Sequence, residues 1–287
     1  MNNNALCLAA GACLLLSANA LAQGSLDPGL PLWEVGVGAA GFSTPAYPGA
    51  EDRNNRVLAL PFVLYRGEIL RADQSGIGAR LLRSDVAEFD IGFAGALPSD
   101  SDDVAAREGM PDLGALVEFG PRLKIRLADI DRASRVRAEL PLRTVIEARG
   151  GLRTQGWTFE PRLVYETRGE RALWTFEAQL GAVFGNKRIN RYFYEVQPQY
   201  ATAARPAYSA DSGLMLVRTG LFATRRINPD LRVFGFVRFE SYAGAANRDS
   251  PLLRRDTGVS GGIGLAWTLA RSKTRARGPE PVDPNTL

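Results

Sequence analysis

Alternation of apolar and polar residues runs through four consecutive segments and constrains the fold more than any other feature of the chain. In Trp174–Gly185 (WTFEAQLGAVFG) every second residue from Trp174 to Phe184 is apolar. A period of two is typical of a β-strand with two unlike faces. The same alternation recurs in residues 115–127, 136–148 and 157–167, and its apolar positions include no charged residue. The chain is therefore predicted to be all-β.

The opposite parity of these four segments is rich in charge of both signs. We expect the following side chains to share the second face of the sheet: Glu118, Arg122, Lys124, Arg126, Arg137, Glu139, Arg143, Glu147, Arg149, Glu160, Arg162, Glu166 and Glu177. A mixture of acids and bases on one face favours cross-strand ion pairs.

Two solvents are compatible with such a sheet. In a water-soluble protein the apolar face would be the core, whereas in an outer-membrane barrel it faces lipid and the charged face lines the lumen. The predicted strands run to about 12–16 residues, long enough to cross a bilayer when tilted and longer than most globular strands. Aromatic residues also lie near strand ends, as in interfacial girdles: Trp33, Tyr65, Trp157, Tyr165, Trp174, Phe184 and Trp267. The lipid-facing arrangement is favoured, and the solvated sheet remains the alternative.

Connection lengths predict an up-and-down barrel of about 12 strands. Strands are expected near 32–42, 55–66, 68–73, 76–83, 86–97, 112–127, 134–149, 156–168, 171–185, 213–226, 230–243 and 256–270. Tight turns at 66–68, 84–85, 168–171 and 227–230 then fall at one end, and long connections at 43–54, 98–111, 186–212 and 244–255 fall at the other. This asymmetry is typical of outer-membrane barrels with an even strand count and periplasmic termini. The alternative for residues 68–83 is a single bulged strand, which would give a total of eleven strands.

The N-terminus predicts export. Residues 5–22 form an uncharged, mostly apolar run with small-x-small cleavage sites after Ala20 and Ala22, which is typical of a signal peptide. A membrane anchor and a lipoprotein signal at Cys13 are less favoured alternatives. The expected organisation is a signal peptide at 1–22, a barrel at 23–270 and a flexible periplasmic tail at 271–287.

Composition limits the chemistry that the exported chain can perform. Both cysteines, Cys7 and Cys13, fall inside the predicted leader, so no disulfide is expected. The chain contains no histidine, which removes the usual general base and the usual Cys/His metal sets. Net charge is only +4 with interleaved signs, so nucleic acid is not an expected partner. We predict outer-membrane lipid as the surroundings, no cofactor and no enzymatic activity.

Three loop motifs carry a family resemblance. The first long connection contains Pro45, Tyr47, Pro48 and Gly49, the third contains Tyr192, Phe193 and Tyr194, and the fourth contains Asp249, Ser250 and Pro251. In this order and spacing the chain resembles the MipA/OmpV family of outer-membrane proteins. Pro48-Gly49 and Asp249-Ser250-Pro251 are most simply turns. The aromatic triplet has two readings, a contact patch or a segment packed into the barrel mouth.

The resemblance implies a non-enzymatic scaffold that links the outer membrane to peptidoglycan-remodelling enzymes, namely a lytic transglycosylase and a penicillin-binding protein. It also leaves a surface adhesion role open. A barrel of about 12 strands lies between filled small barrels and water-filled porins, so a narrow diffusion channel is an alternative. A hydrolase is disfavoured because the usual histidine base is missing.

Overall fold

The alternating segments form one closed antiparallel sheet in the computed structural model, which describes residues 29–67, 69–73, 76–131, 133–167 and 173–276. The strands are β1 Trp33–Pro45, β2 Arg53–Arg66, β3 Leu70–Asp73, β4 Gly76–Arg83, β5 Ala87–Ala96, β6 Ala115–Asp129, β7 Ser134–Ala148, β8 Leu152–Phe159, β9 Arg162–Thr167, β10 Trp174–Gly185, β11 Gly213–Arg226, β12 Leu231–Ser241 and β13 Thr257–Arg271. Apart from β8 and β9, consecutive strands pair with each other, and β1 pairs with β13 to close the barrel. The predicted signal peptide lies outside the described residues.

Twelve antiparallel positions make up the wall, as predicted. β8 and β9 are two halves of one position, because both pair with β7 and with β10. The interruption falls at Glu160-Pro161, where proline has no N–H for the ladder. Residues 70–83 form two strands that pair with each other, so the single bulged strand is excluded.

The two faces of the sheet are arranged as in a membrane barrel. Along β10, Trp174, Phe176 and Leu180 are 46%, 39% and 55% exposed, whereas Glu177 is only 6% exposed. The apolar parity therefore lies outside and the charged parity is buried inside, the reverse of a soluble sheet. Trp33 lies opposite Tyr65, and both form part of an aromatic belt near the end with short turns.

The two ends of the barrel differ in their connections. The turn end, where β1 begins and β13 ends, has short links such as 84–86 and 227–230. The loop end has the long connections 46–52, 97–114, 186–212 and 242–256, which we call the lid. The third of these holds the helix α1, Lys187–Tyr194, where only an irregular connection was expected. Within the part of the chain that is described, no helix has the length and apolar run needed to cross a bilayer.

The terminal segments pair with each other at the turn end. β13 extends to Arg271, one residue beyond the predicted end of the barrel. The chain then turns, and Leu32 N–H donates to the Thr274 carbonyl at 2.9 Å while Ala276 N–H donates to the Leu30 carbonyl at 2.9 Å. Residues 272–276 of the predicted flexible tail thus have defined contacts, and its remainder, 277–287, lies outside the described residues.

Candidate functional site

The three sequence motifs meet in the lid. The Tyr47 hydroxyl donates to the carbonyl of Leu252 at 2.6 Å, which joins the first connection to the fourth. The Ser250 hydroxyl donates to the carbonyl of Tyr194 at 2.7 Å, which joins the fourth to the third. Because these partners are more than fifty residues apart in sequence, the motifs hold a tertiary arrangement rather than isolated turns.

Gly49 occupies a position that disfavours a side chain. Its φ of +83° lies in the left-handed region, and a Cβ there would lie 2.9 Å from Leu253 Cγ. The Gly49 carbonyl also accepts the N–H groups of Arg254 and Arg255, at 2.8 and 3.1 Å. Glycine is needed here both for its backbone conformation and for close approach of the fourth connection.

The aromatic triplet belongs to α1 and packs into the barrel mouth. Asn186 caps the helix by accepting the Ile189 N–H at 3.2 Å. Tyr194 is fully buried and Phe193 nearly so. Tyr192 is half-buried, and its hydroxyl donates to Glu147 Oε1 at 3.0 Å. Of the two readings of the triplet, the structure therefore places it in the mouth.

The remaining motif residues lie at the edges of the lid. Pro45 ends β1 and is half-buried, as are Pro48 and Pro251, whereas Asp249 is exposed. These positions shape the turns of the lid, and their role in binding stays a prediction.

Arg107 is a lid residue that the sequence motifs do not mark. It is 4% exposed, and its guanidinium lies 5.7 Å from the centre of the Tyr47 ring. It donates to the carbonyls of Pro111 at 3.0 Å and Phe193 at 3.3 Å. Removal of the guanidinium from water lowers the pKa of Arg107. A single arginine in an irregular connection gives no sequence signal for this role.

Two buried asparagines tie the third and fourth connections together. Asn247 donates to the Asn190 side chain at 2.9 Å and to the Asp211 carbonyl at 2.8 Å, and its own Oδ1 accepts the Asp211 N–H at 2.8 Å. Asn190 donates in turn to the Gly185 carbonyl at 3.0 Å. Both amide groups are therefore paired at almost complete burial.

Below the lid, the inward-facing charges form ion pairs between neighbouring strands. Nearest the lid, Glu160 contacts Arg143 at 3.0 Å and Arg218 at 3.2 Å. Arg218 also contacts Glu240 at 2.8 Å. The chain of contacts links β7, the β8–β9 interruption, β11 and β12, so one charge cluster bridges several strands.

A second group of pairs lies between β5 and β6. Arg122 and Lys124 contact Asp90 at 2.7 and 2.8 Å, and Lys124 also reaches Glu88 at 3.0 Å. Arg80 on β4 contacts Glu88 at 2.8 Å. Each acid here has at least two basic partners.

The third group links β7, β9 and β10. Glu139 contacts Arg162 at 2.5 Å and Arg137 at 2.8 Å, and Arg137 also contacts Glu177 at 3.2 Å. Glu166 pairs with both Arg137 and Arg135. Desolvation of so many charges is offset only because nearly every one has an opposite partner.

Four predicted lumen charges have other surroundings. Arg126 is half-exposed at the turn end, 3.9 Å from Asp129, and Arg149 is half-exposed at the loop end, 2.6 Å from Asp112. Glu147 is buried at the boundary with the lid. Glu118 is partly buried and accepts the Thr158 hydroxyl at 3.4 Å.

Several members of the charge groups were missed at the sequence level although they obey the same parity rule, on other strands or, for Arg135, at the start of β7. They are Arg80, Glu88, Asp90, Arg135, Arg218, Arg238 and Glu240. Extending the alternation beyond the four longest segments is the signal that identifies them.

A cavity of about 340 Å³ lies between the lid and these charges. Its roof includes Tyr47, Ile189 and Phe193, and its floor includes Arg162 and Glu177. This volume is within the range of small-ligand pockets. Among the described residues, no group of three or more acidic or other metal-binding side chains is placed to hold a metal ion.

The closed sheet, its apolar outer face and its buried charges define an integral β-barrel protein of the bacterial outer membrane. The chain belongs to the family described as MltA-interacting protein MipA, whose family model matches residues 37–269. No curated protein matches the chain.

Among solved structures, the chain is similar to the translocator domain of autotransporter NalP from Neisseria meningitidis, with 12% identity, a TM-score of 0.42 and coverage of 90% of this chain and 94% of that one. It is also similar to outer membrane phospholipase A from Escherichia coli, with 10% identity, a TM-score of 0.34 and coverage of 81% and 92%.

Proposed function

We propose that this barrel is a non-enzymatic scaffold that holds peptidoglycan-remodelling enzymes at the inner face of the outer membrane. The family description names an interaction with MltA, and the resemblance points to a lytic transglycosylase and a penicillin-binding protein. Outer-membrane barrels have short periplasmic turns and longer external loops, so a murein enzyme would meet the turn end.

The paired terminal segments are the observation that carries this proposal. They add a defined surface to an end whose turns alone are far smaller than the ~800 Å² that a standard interface buries per partner. Lys273 and Arg275 are exposed there, and Arg275 donates to the Gly29 carbonyl at 2.6 Å. The paired C-terminal segment is therefore basic and suits an acidic partner surface.

Crosslinking capture of a MltA-type transglycosylase by the purified full-length protein tests the scaffold role. We expect capture to fall with Lys273→Glu and to persist with Arg188→Glu, which reverses an exposed charge on α1 at the opposite end. Truncation after Ala276 keeps the paired segment, whereas truncation after Ala270 removes it. Equal capture by both truncated proteins would place the contact elsewhere, and no capture by the full-length protein would reject the scaffold.

A narrow diffusion channel is the second candidate, and the cavity beneath the lid is the observation that favours it. Planar-bilayer conductance separates the two functions, because a scaffold needs no conducting path.

The proposal includes the absence of catalysis. It is supported by the lack of histidine in the chain and by the pairing of the buried carboxylates with arginine or lysine. Phospholipase, lipid A deacylase or protease activity of the refolded protein would overturn this part.

A further inference from the structure

One side of the barrel wall is incomplete at the loop end. β3 and β4 are short, and their hairpin closes at the pair Asp73–Gly76. On its β3 side, β2 is paired only at Tyr65 and Arg66, although the strand runs from Arg53. On its β4 side, the pairing of β5 ends at Gly92, although that strand continues to Ala96. Within the described residues, the upper parts of β2 and β5 therefore flank an opening.

The free edge of β2 is unsuited to pairing with a further strand. Pro61 lies opposite Val37 on β1, and proline has no N–H to donate, so the backbone groups at this parity point away from β1. Arg66, at the opposite parity, donates its N–H to the Leu32 carbonyl just before β1 at 2.8 Å, which is consistent with that direction. A proline in the middle of a free edge removes a donor and obstructs an added strand. The opening is therefore not a site for strand addition.

The cavity reaches both edges of this opening. Leu58 and Leu60 of β2 and Ala94 and Ala96 of β5 all line it. Open sheet edges are tolerated at membrane depth only where they border protein or a cavity. The cavity therefore lies directly behind this opening, beneath the lid.

One side of the lumen wall, running from β2 through β1 and β13 to β12 and β11, carries the apolar lining of the cavity, whereas the second and third groups of ion pairs lie on β4 to β10. Phe222 and Phe234 stack with centroids 6.3 Å apart. A Cβ on Gly262 would lie 2.7 Å from both the Phe236 ring and Phe42, so these residues lie against bare backbone. The apolar lining comprises Phe42, Leu58, Leu60, Phe222, Phe234 and Phe236.

Arg238 lies at the boundary between the apolar and the charged wall and is weakly compensated. Its Nε is 3.2 Å from Glu240, but this carboxylate also contacts Arg218 at 2.8 Å and accepts the Tyr242 hydroxyl at 2.6 Å. Arg238 Nε is buried without a hydrogen-bond partner, and its other contact is a 3.4 Å bond to Ser260. The side chain also lines the cavity.

We propose that this cavity binds a single-chain amphiphile with an anionic head, which enters from the outer leaflet between β2 and β5. The alkyl chain of the ligand lies against the phenylalanine and leucine lining. Its anionic head pairs with Arg238, because the carboxylate of Glu240 next to Arg238 is shared with Arg218. This binding site is independent of the scaffold role at the other end of the barrel.

Photo-labelling of the full-length protein in liposomes tests the site. The probe is a dodecanoic acid with a diazirine near the chain end, used at alkaline pH so that its head is ionised. We expect labels on the inward residues of β2 and on β12, and we expect unlabelled dodecanoate to displace the probe better than dodecanol does. Arg238→Gln should weaken displacement by dodecanoate about tenfold, the scale of a charge-assisted hydrogen bond, and leave dodecanol unchanged.

Leu58→Trp should reduce labelling by filling the cavity, whereas Val57→Trp, on the outward face, should not. If Leu58→Trp fails to assemble, Leu60→Trp replaces it, and heat-dependent gel migration reports assembly for each variant. Labels confined to outward residues, or equal displacement by dodecanoate and dodecanol in the native protein, would overturn the proposal.

Discussion

At the scale of single residues, neighbours along β10 have opposite surroundings. Leu180 is 55% exposed on the outer face, whereas Gln179 lines the cavity. A cation on the lipid-facing side of a barrel costs ~2–4 kcal/mol at the bilayer midplane. We therefore expect Leu180→Arg to reduce the heat-modifiable, folded form in outer-membrane fractions, and Gln179→Arg to reduce it less. Equal losses in the two variants would contradict the assignment of the faces.

Gly49 allows a second residue-scale test. A side chain at its positive φ costs roughly 1–2 kcal/mol, and a Cβ there also meets Leu253 at 2.9 Å. Gly109 is the matched control, because its φ is +74° but nothing lies within 4 Å of an added Cβ. We expect Gly49→Ala to lower the midpoint of thermal unfolding more than Gly109→Ala does. The same shift for both would mean that the contact with Leu253 contributes nothing.

At the scale of elements, the lid is held by buried tyrosines, so we expect its stability to fall at alkaline pH. Burial raises the pKa of Tyr47 from 10 to about 12, and it also raises the pKa of Tyr194 and Tyr242. A raised pKa in the folded state means that the unfolded lid loses its protons first as pH rises. The stabilising contribution of the protonated Tyr47 is complete below pH 10 and is lost as pH rises through about 12.

Limited proteolysis of the lid during an alkaline titration checks this expectation, with absorbance of tyrosinate recorded in parallel. Tyr47→Phe removes one titrating group and the 2.6 Å hydrogen bond to Leu252. The variant should be cleaved more readily at neutral pH and should show a smaller further change on alkalinisation. A lid that is cleaved at the same rate across the whole range would contradict the prediction.

The elements also show how far sequence reasoning reaches. Alternation identified the strands around Trp174 and the inward side of Glu177 because a period of two depends only on local geometry. It did not identify α1, whose eight residues are too few for a clear helical period inside a long connection. Nor did parity identify ion-pair partners: Glu160 and Arg218 are 58 residues apart and meet only through strand register. The hydrogen bond from Tyr47 to the Leu252 carbonyl could not be predicted from the sequence for the same reason.

At the scale of the whole molecule, the lid covers the loop end and ion pairs cross the lumen below it, so we expect low conductance in planar bilayers. Leu252→Asp places a charge where the native side chain is fully buried in the lid, and burial of an unpaired carboxylate is unfavourable. This variant should conduct more than the native protein, whereas Asp249→Ala, at an exposed lid position, should not. A large, stable conductance of the native protein would support the channel function instead.

The pairing of Gly29–Leu32 with Ser272–Ala276 has a consequence for how the chain can be connected. Because the two ends of the described chain lie side by side, a short peptide joining them would make the polypeptide a ring with no change in strand neighbours. New termini could then be placed at another hairpin of the same end, such as 227–230, where the turn is exposed. With the predicted signal peptide kept ahead of the new N-terminus, a circularly permuted chain should specify the same barrel.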